Sequence, residues 1–274
     1  NNNNISSFDD YNSKYYNGYL NQIFSRDEFS VFHCTNCGHY QYNLDIDQNK
    51  INKMYKIHYD LKLLRKKKNQ PPNNDDFKKK VLVRLQKIKN ASGGRNKLLD
   101  FGAGEGLWSS LANKVGFNTT SYEPNSTRFE TSKNSIFYNS WEDVKKNKYD
   151  VILCNQVLEH VIDPQKIIKQ LREVSHNKTL LLCNVPNVSI YDFDELVSTW
   201  PYNGKKSHVL APMQHLHGFT QKSFLYALKK EKFIVSLWSL PHFKLSIIKI
   251  IIALIFGKYV SKLSSTDFVF RLKD

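Results

Sequence analysis

Three glycines at alternate positions, Gly102, Gly104 and Gly106, follow the apolar run Leu98-Leu99-Asp100-Phe101, and a helical pattern opens at once at Leu107. Glycine lets a chain turn sharply and lets a ligand lie against bare backbone. In an open parallel sheet such a turn falls at the carboxyl ends of the strands, where ligands bind. The next strand ends in Ser121-Tyr122-Glu123-Pro124. A carboxylate placed there can accept hydrogen bonds from both hydroxyls of a ribose. The two strands together describe a site for an adenosine-type nucleoside at the turn Gly102-Ala103-Gly104 and at Glu123-Pro124. A dinucleotide fingerprint needs its third glycine, or alanine, three residues after the second. That position is Leu107 here. No Gly-Lys-Ser/Thr follows either, so the loop does not cradle a triphosphate. A glycine turn with no ligand is the bland alternative, and the paired acid argues against it.

The elements that must hold this turn are legible around it. Phe77, Val81, Leu82, Leu85 and Ile88 recur at helical spacing, with Lys and Arg on the other face. Ser92-Gly93-Gly94 ends that helix. Residues 97–101 read as a strand, 107–115 as a helix closed by Gly116, and 118–122 as a second strand. Residues 149–154 and 179–185 are wholly apolar strands, separated by a helix over 164–174 with Pro164 at its first position. Such alternation predicts an α/β fold, a doubly wound and mostly parallel sheet. Residues 186–218 then form a long connection rich in proline, aromatics and histidine, a lid or substrate wall by its length. Thr220 is placed to cap a helix, and 233–240 and 266–272 alternate as strands. Between them an apolar run at 243–258 is too short to span a bilayer. It reads as a core or dimer-forming helix, with an interfacial membrane helix between Lys244 and Lys258 as the alternative. Upstream, residues 1–22 read as loosely ordered, and 29–42 as a strand-like patch carrying Cys34 and Cys37. Pro71, Pro72 and the Asn-Asn-Asp-Asp run at 73–76 mark a hinge, dividing an N-terminal segment (1–72) from the main domain (73–274).

Composition sets the outer bounds. The chain has 274 residues, 41% hydrophobic and 13% aromatic, which supports a sizeable core and excludes global disorder. With 11 Gly and 8 Pro it is not collagen-like or low-complexity. Four cysteines are too few for a disulfide scaffold, and Cys154 and Cys183 sit inside apolar strands. That suits a reducing compartment, so a cytoplasmic location is expected; the chain opens on Asn and shows no signal peptide. The net charge is +15, yet residues 61–90 hold eleven basic and two acidic side chains, contributing 11 − 2 = +9 and leaving +6 elsewhere. The charge is therefore local. A solvated face is the plain reading and contact with an anionic surface or substrate the sharper one.

Residues 98–107 resemble the first motif of the class I S-adenosylmethionine-dependent methyltransferases, with Asp100, Gly102 and Gly104 matching the positions that shape the methionine pocket and Glu123 the ribose-binding acid. The resemblance runs from about residue 77 to the C-terminus. Tyr149-Asp150-Val151-Ile152-Leu153-Cys154-Asn155-Gln156-Val157-Leu158-Glu159-His160-Val161 is similar to the fourth-strand motif of their small-molecule branch, which implies that Asn155 and Gln156 lie beside the cofactor. His215-Leu216-His217-Gly218-Phe219-Thr220 is similar to a segment that precedes the last helix in many of them. The resemblance implies a Rossmann-like sheet of seven strands, the last antiparallel and paired with the sixth. After the third strand the family often sets an acid and a small residue against adenine. Here that stretch reads Asn139-Ser140-Trp141-Glu142-Asp143, and Trp141 is a candidate either for stacking on the base or for the core.

Methyl transfer from a sulfonium is an in-line displacement, for which the protein supplies positioning, a dry pocket and a base where the nucleophile needs one. The candidate bases are His215, His217 and His160, with Glu159 behind them; any one of them is also a credible packed structural residue. Cys34-Thr35-Asn36-Cys37, flanked by His33 and His39, supplies half of a zinc-ribbon ligand set. Zinc is expected only if ligands upstream of Asn1 complete the set; no other metal ligands are assigned. The leading expectation is a methyltransferase acting on a small molecule, a sugar or nucleotide-sugar by preference. A nucleic-acid methyltransferase is the second reading, motivated by the basic window, but Asn155-Gln156-Val157-Leu158 does not supply the Asn/Asp-Pro-Pro-aromatic tetrad of base-amino methylation. A partner-binding protein on the same fold, without catalysis, is the third. No transmembrane span is expected, peripheral membrane contact stays open, and the sequence does not set an oligomeric state.

Overall fold

The computed structural model describes residues 3–24, 30–43, 47–68, 75–125, 135–201, 208–212, 214–236 and 268–273. Along the chain the elements are α1 (Asn3–Tyr16), α2 (Leu20–Ile23), β1 (Val31–His33), β2 (Tyr40–Tyr42), α3 (Gln48–Lys68), α4 (Asp75–Ala91), β3 (Lys97–Phe101), α5 (Leu107–Lys114), β4 (Asn118–Tyr122), β5 (Ile136–Tyr138), α6 (Trp141–Val144), β6 (Tyr149–Asn155), α7 (Pro164–Glu173), β7 (Ser175–Asn184), a 3-10 turn (Val188–Ile190), α8 (Phe193–Ser198), β8 (His217–Gly218), α9 (Gln221–Lys230), β9 (Phe233–Val235) and β10 (Phe268–Leu272). They gather into two compact units that interleave along the chain. One comprises Asn1–Asn73, Glu159–Ile162 and Pro186–Ser223; the other comprises Asn74–Leu158, Asp163–Val185 and Phe224–Asp274.

The second unit is built on a seven-stranded sheet in the order β5-β4-β3-β6-β7-β10-β9. The first five strands of that order run parallel, and β10 runs antiparallel to both β7 and β9. This is the expected Rossmann-like arrangement. The chain steps outward from β3 to β4 and β5, then returns to place β6 on the other side of β3. That reversal leaves a crevice at the carboxyl ends of β3 and β6, the place where open sheets of this kind take ligands. Strand alternation sends Leu98, Val151, Leu153, Leu180 and Leu182 to one face, where Val81, Leu85 and Ile88 of α4 and Leu111 and Ala112 of α5 close over them. The glycine turn thus hangs from a core strand that this packing and the pairing with β4 and β6 hold in place. Helix α7 opens with Pro164 behind Asp163, whose carboxylate accepts from Lys166 N at 3.0 Å.

The other unit contains the segment that composition marks as loosely ordered, and the structure corrects that expectation. Residues 3–16 form α1, with Phe8, Tyr11 and Tyr16 buried. Their spacing of three and five is an apolar stripe hidden among Asn and Ser, residues of poor helix propensity. The Tyr11 hydroxyl donates to Pro212 O at 2.7 Å, and the Asn12 side chain accepts from Leu20 N at 3.1 Å. A small antiparallel sheet β1-β2-β8 completes the unit, pairing Tyr40 with Gly218 and Gln41 with His217. Thr220 caps α9 as expected, with Ser223 N donating to Thr220 Oγ1 at 3.1 Å. The hinge at 71–74 and the apolar run at 243–258 lie outside the described residues. Among the described residues no helix is long and apolar enough to cross a membrane.

Gly218 is where this small sheet is tightest. A Cβ there would run into Leu210 Cδ2 and come within 3.0 Å of Val188 Cγ1 and 3.1 Å of Tyr40 Cβ. Gly218→Ala is expected to cost about 1 to 3 kcal/mol of stability through overpacking. Chemical denaturation of the two proteins side by side measures it, and an unchanged midpoint would show that the sheet yields without cost.

Candidate functional site

The turn after β3 is left-handed at each glycine, with φ of 75° at Gly102, 56° at Gly104 and 75° at Gly106. Side chains are strained in that region. At Gly102 space forbids them as well, because a Cβ would sit 2.6 Å from Val157 Cγ2. Gly102 N and Ala103 N both donate to Tyr122 O, at 2.8 and 3.0 Å, which ties the turn to the end of β4. Glu123 follows immediately and is 6% exposed. Its Oε2 accepts from Gly104 N at 2.9 Å and its Oε1 from Asn125 N at 3.1 Å. The carboxylate is aimed at the turn, and each oxygen keeps lone-pair capacity for a further donor. Pro124 stands between Glu123 and the Asn125 N–H that helps to hold it.

Asp100 is the penultimate residue of β3, two positions before Gly102. Its Oδ2 accepts from Ser109 Oγ at 2.5 Å, and Ser121 Oγ donates to Ser109 Oγ at 2.7 Å. This chain links β3, α5 and β4 through three side chains. Burial pushes the Asp100 carboxyl up to about 6, the Ser109 bonds pull it back down in part, and the charge of Glu123 raises it further. Ser109 and Ser121 escape sequence reasoning, since nothing in their spacing separates them from ordinary packed serines.

Trp141, the first residue of α6, turns its ring edge-on to Phe101 and Tyr122, with centroids 5.9 and 5.8 Å apart. It is half-buried in that aromatic group beside the ends of β3 and β4. Asn155 closes β6 and lines a small cavity with Arg84, Trp108, Leu153, Leu182 and Asn184. The guanidinium of Arg84 lies 5.9 Å from the Trp108 ring centre. Gln156 adopts φ 55° and spends its side chain on Asn184, whose Oδ1 accepts from Gln156 N at 3.2 Å and Nε2 at 3.1 Å. The sequence pairs Asn155 with Gln156. The structure separates their roles, one facing a cavity and the other bracing β7.

The three histidines belong to the other unit, and their hydrogen bonds distinguish them. His217 Nε2 lies 3.2 Å from Ile162 O, and His217 Nδ1 lies 3.1 Å from His39 Nε2. A carbonyl only accepts, so Nε2 donates and Nδ1 takes the proton of His39. Both nitrogens are then occupied. Burial, reinforced by His217, holds the His39 imidazole down at about 4, so the His39 ring is neutral near pH 7. His215 Nδ1 donates to Val209 O at 2.6 Å, and His160 Nδ1 donates to Gln214 O. With the Nδ1 proton given to a carbonyl, the acceptor position of each imidazole falls on Nε2. Burial lowers His215 below the ordinary histidine value, the Val209 bond opposing it. The rings of His160 and His215 lie 4.9 Å apart, and Glu159 Oε1 is 3.7 Å from His160 Nε2. Glu159 is 1% exposed, and burial pushes its carboxyl up to about 8.

At the Cys34-Cys37 knuckle, Gly38 N donates to Cys34 O at 2.7 Å and Cys34 N to His39 O at 2.8 Å. The Cys34 thiol is drawn below its ordinary value chiefly by the Cys37 backbone N–H. His33 stacks on Tyr40 and His39 is engaged with His217. Among the described residues no third ligand gathers at the two thiols.

The profile of the methyltransferase-domain family Methyltransf_23 matches residues 59–233, more than half of the chain. The chain belongs to that family. The residues of the turn fit S-adenosylmethionine, the methyl donor that the resemblance to class I methyltransferases implies. The turn offers bare backbone that a Cβ would fill, and Glu123 offers unspent acceptor capacity beside it. A ubiquinone biosynthesis O-methyltransferase of Rickettsia canadensis (strain McKiel) is 34% identical over 92 residues, which are 30% of this chain and 38% of that protein. The chain thus matches well under half the length of that relative. Among solved structures, the plantazolicin methyltransferase BpumL in complex with SAH aligns at 13% identity and TM-score 0.49, over 84% of this chain and 91% of that one. The N-terminal domain of EvdMO1 with SAH bound aligns at 13% and TM-score 0.44, over 70% and 81%. At this distance the likeness says nothing about the methyl acceptor.

The raised Asp100 carboxyl makes a pH-dependent prediction. The folded protein holds this proton up to about pH 6, whereas the unfolded chain releases it near 3.8. Its contribution to stability therefore falls as pH rises through that window and levels off above it. Asp100→Asn removes the titration. Relative to wild type, the variant should gain about 1 to 3 kcal/mol between pH 4 and 7. Unfolding free energies of both proteins across that range provide the check, and a difference independent of pH would contradict the assignment.

Proposed function

We propose that this methyltransferase acts on an oxygen of a small hydroxylated molecule, a sugar or nucleotide-sugar being the class we favour. The observation that carries the cofactor half of this reading is the Glu123 carboxylate held against Gly104 N with acceptor capacity unspent. The acceptor half rests on Glu159, His160 and His215, which place a buried carboxylate beside two imidazoles whose lone pairs fall on Nε2.

Bound S-adenosylmethionine supplies a methyl group activated by a sulfonium. The chain's own residues do the rest by positioning and electrostatics. Glu123 takes the ribose diol. Gly102, Ala103 and Gly104 admit the cofactor against the main chain, Asp100 shapes the methionine side with its proton balance set by Ser109, and Trp141 flanks the base. Asn155, at the carboxyl end of β6, is assigned to the same ligand, while Gln156 holds the end of β6 through Asn184. A hydroxyl is a poor nucleophile until it loses its proton, and Glu159, His160 and His215 are the groups we assign to ease that loss. His217, with both nitrogens engaged, is assigned to bracing.

Isothermal titration with S-adenosylmethionine tests the first half. Wild type should bind one equivalent, and Glu123→Gln should weaken binding about 10- to 100-fold, the worth of hydrogen bonds to a charged acceptor. No heat at millimolar cofactor would end the reading. His215→Ala should leave cofactor affinity unchanged and lower turnover about 100-fold or more. The acceptor is found by incubating cell-extract fractions with methyl-labelled cofactor. Label in a hydroxylated small-molecule fraction is expected; label confined to RNA would replace the acceptor class proposed here.

A further inference from the structure

We propose that Glu159, His160 and His215 bind a divalent first-row transition-metal cation. One donor atom from each lies within 4.8 Å of the other two. A cation with bonds of about 2.1 Å needs donors about 3.4 Å apart in a tetrahedral set. Glu159 Oε1 and His160 Nε2, at 3.7 Å, are already near that spacing. Small side-chain rotations close the remainder.

Three features point to a ligand rather than to ordinary packing. First, each imidazole donates its Nδ1 proton to a main-chain carbonyl, His160 to Gln214 O and His215 to Val209 O. That outer contact fixes the tautomer and turns Nε2 into the donor atom, as outer-shell partners do for metal-bound histidines. Second, both carboxyl oxygens of Glu159 are buried and make no hydrogen bond. A buried carboxylate without donors is among the costliest groups a protein can hold, and a cation at this point supplies the missing charge. Third, the main chain is clamped around the cluster. Leu216 N and His217 N both donate to Glu159 O, at 2.7 and 3.1 Å, His215 N donates to Ala211 O at 3.0 Å, and the Tyr55 hydroxyl donates to His160 O at 3.1 Å. The donors are therefore carried on braced backbone rather than on a loose loop.

Two imidazoles and one carboxylate favour manganese, iron, cobalt or zinc over calcium and magnesium, which prefer oxygen alone. Three protein ligands leave coordination positions open. The ligand class those positions suit is a molecule with two adjacent oxygens, a vicinal diol or hydroxy-carbonyl group, whose bound hydroxyl is acidified by the cation. That last step rests on the proposed methyltransferase reading, whereas the metal site itself does not.

The test uses the full chain stripped with a chelator, dialysed and titrated with MnCl2. Mn2+ is chosen because the thiols of Cys34 and Cys37 hold it poorly. Loss of the six-line electron paramagnetic resonance signal of free Mn2+ reports binding, and calorimetry with S-adenosylmethionine is run on the same samples. One Mn2+ per chain is expected. Glu159→Gln, which keeps the shape and removes the charge, and His215→Ala should each weaken it at least tenfold while cofactor binding stays intact. Absence of Mn2+ binding at millimolar concentration in a cofactor-binding protein would overturn the site. Binding that survives both substitutions unchanged would overturn it equally. Mn2+ bound at these residues in a protein that ignores the cofactor would uphold the site and defeat only its proposed use.

Discussion

A nearly buried carboxylate that, among the described residues, meets two main-chain N–H groups is the constraint on which the proposed cofactor site depends. Glu123 is 6% exposed and receives one hydrogen bond per oxygen. A charged carboxylate has capacity for about four. The deficit is a cost when the site is alone and an attraction when a diol arrives with two more donors. Gly104 turns its N–H to Glu123 within a left-handed turn, a backbone that glycines at 102, 104 and 106 adopt without strain. Val157, close to where a Cβ of residue 102 would lie, leaves no alternative. The turn and the acid are therefore one device.

The hydrogen-bonded chain from Ser121 through Ser109 to Asp100 gives that device its charge balance. Burial raises the cost of ionising Asp100, and the charge of Glu123 adds to it. Two neighbouring acids in a crevice make a poor place for an anion and a good one for a ligand that carries positive charge. A sulfonium nucleoside with an α-amino group meets that requirement; a phosphate does not. The electrostatics thus reach the same ligand class as the absence of a Gly-Lys-Ser/Thr loop in the sequence. The basic window does not oppose this. The described lysines of α4 at 78, 79 and 80 are exposed to solvent, and Lys89 is spent on Gly116 O and the Phe117 ring.

The sheet was readable in the sequence because its signals are local. Apolar runs mark β3, β6 and β7, with Gly102 closing the first and Pro186 following the last, and the helices between them follow a period near 3.6. Residues 3–16 were not readable, because Phe8, Tyr11 and Tyr16 are a stripe only once the distant Pro212 segment is there to bury them. Helix α3 fails for the same reason: Ile51 and Met54 are buried, but the surrounding Lys and Asn dilute the pattern. At the site, the glycines and Glu123 could be placed from spacing alone. Ser109, Ser121 and Asn184 could not, since each acts through a contact with a residue on another strand or helix.

The histidines show where sequence reasoning stops and why. His160, His215 and His217 are chemically identical as letters, and each stands in a segment that resembles functional ones. What separates them is the identity of the atom opposite each ring nitrogen. One carbonyl oxygen against Nδ1 puts the basic lone pair on Nε2, as at His160 and His215. A carbonyl against Nε2 together with a donor against Nδ1 consumes the ring, as at His217. These oxygens belong to Gln214, Val209 and Ile162, residues whose side chains have no bearing on the matter. Side-chain type therefore cannot encode the distinction; backbone placement does. The placement of the acceptor nitrogen on each ring is a property of the fold, and a substitution that shifts Val209 or Gln214 alters it without touching a histidine.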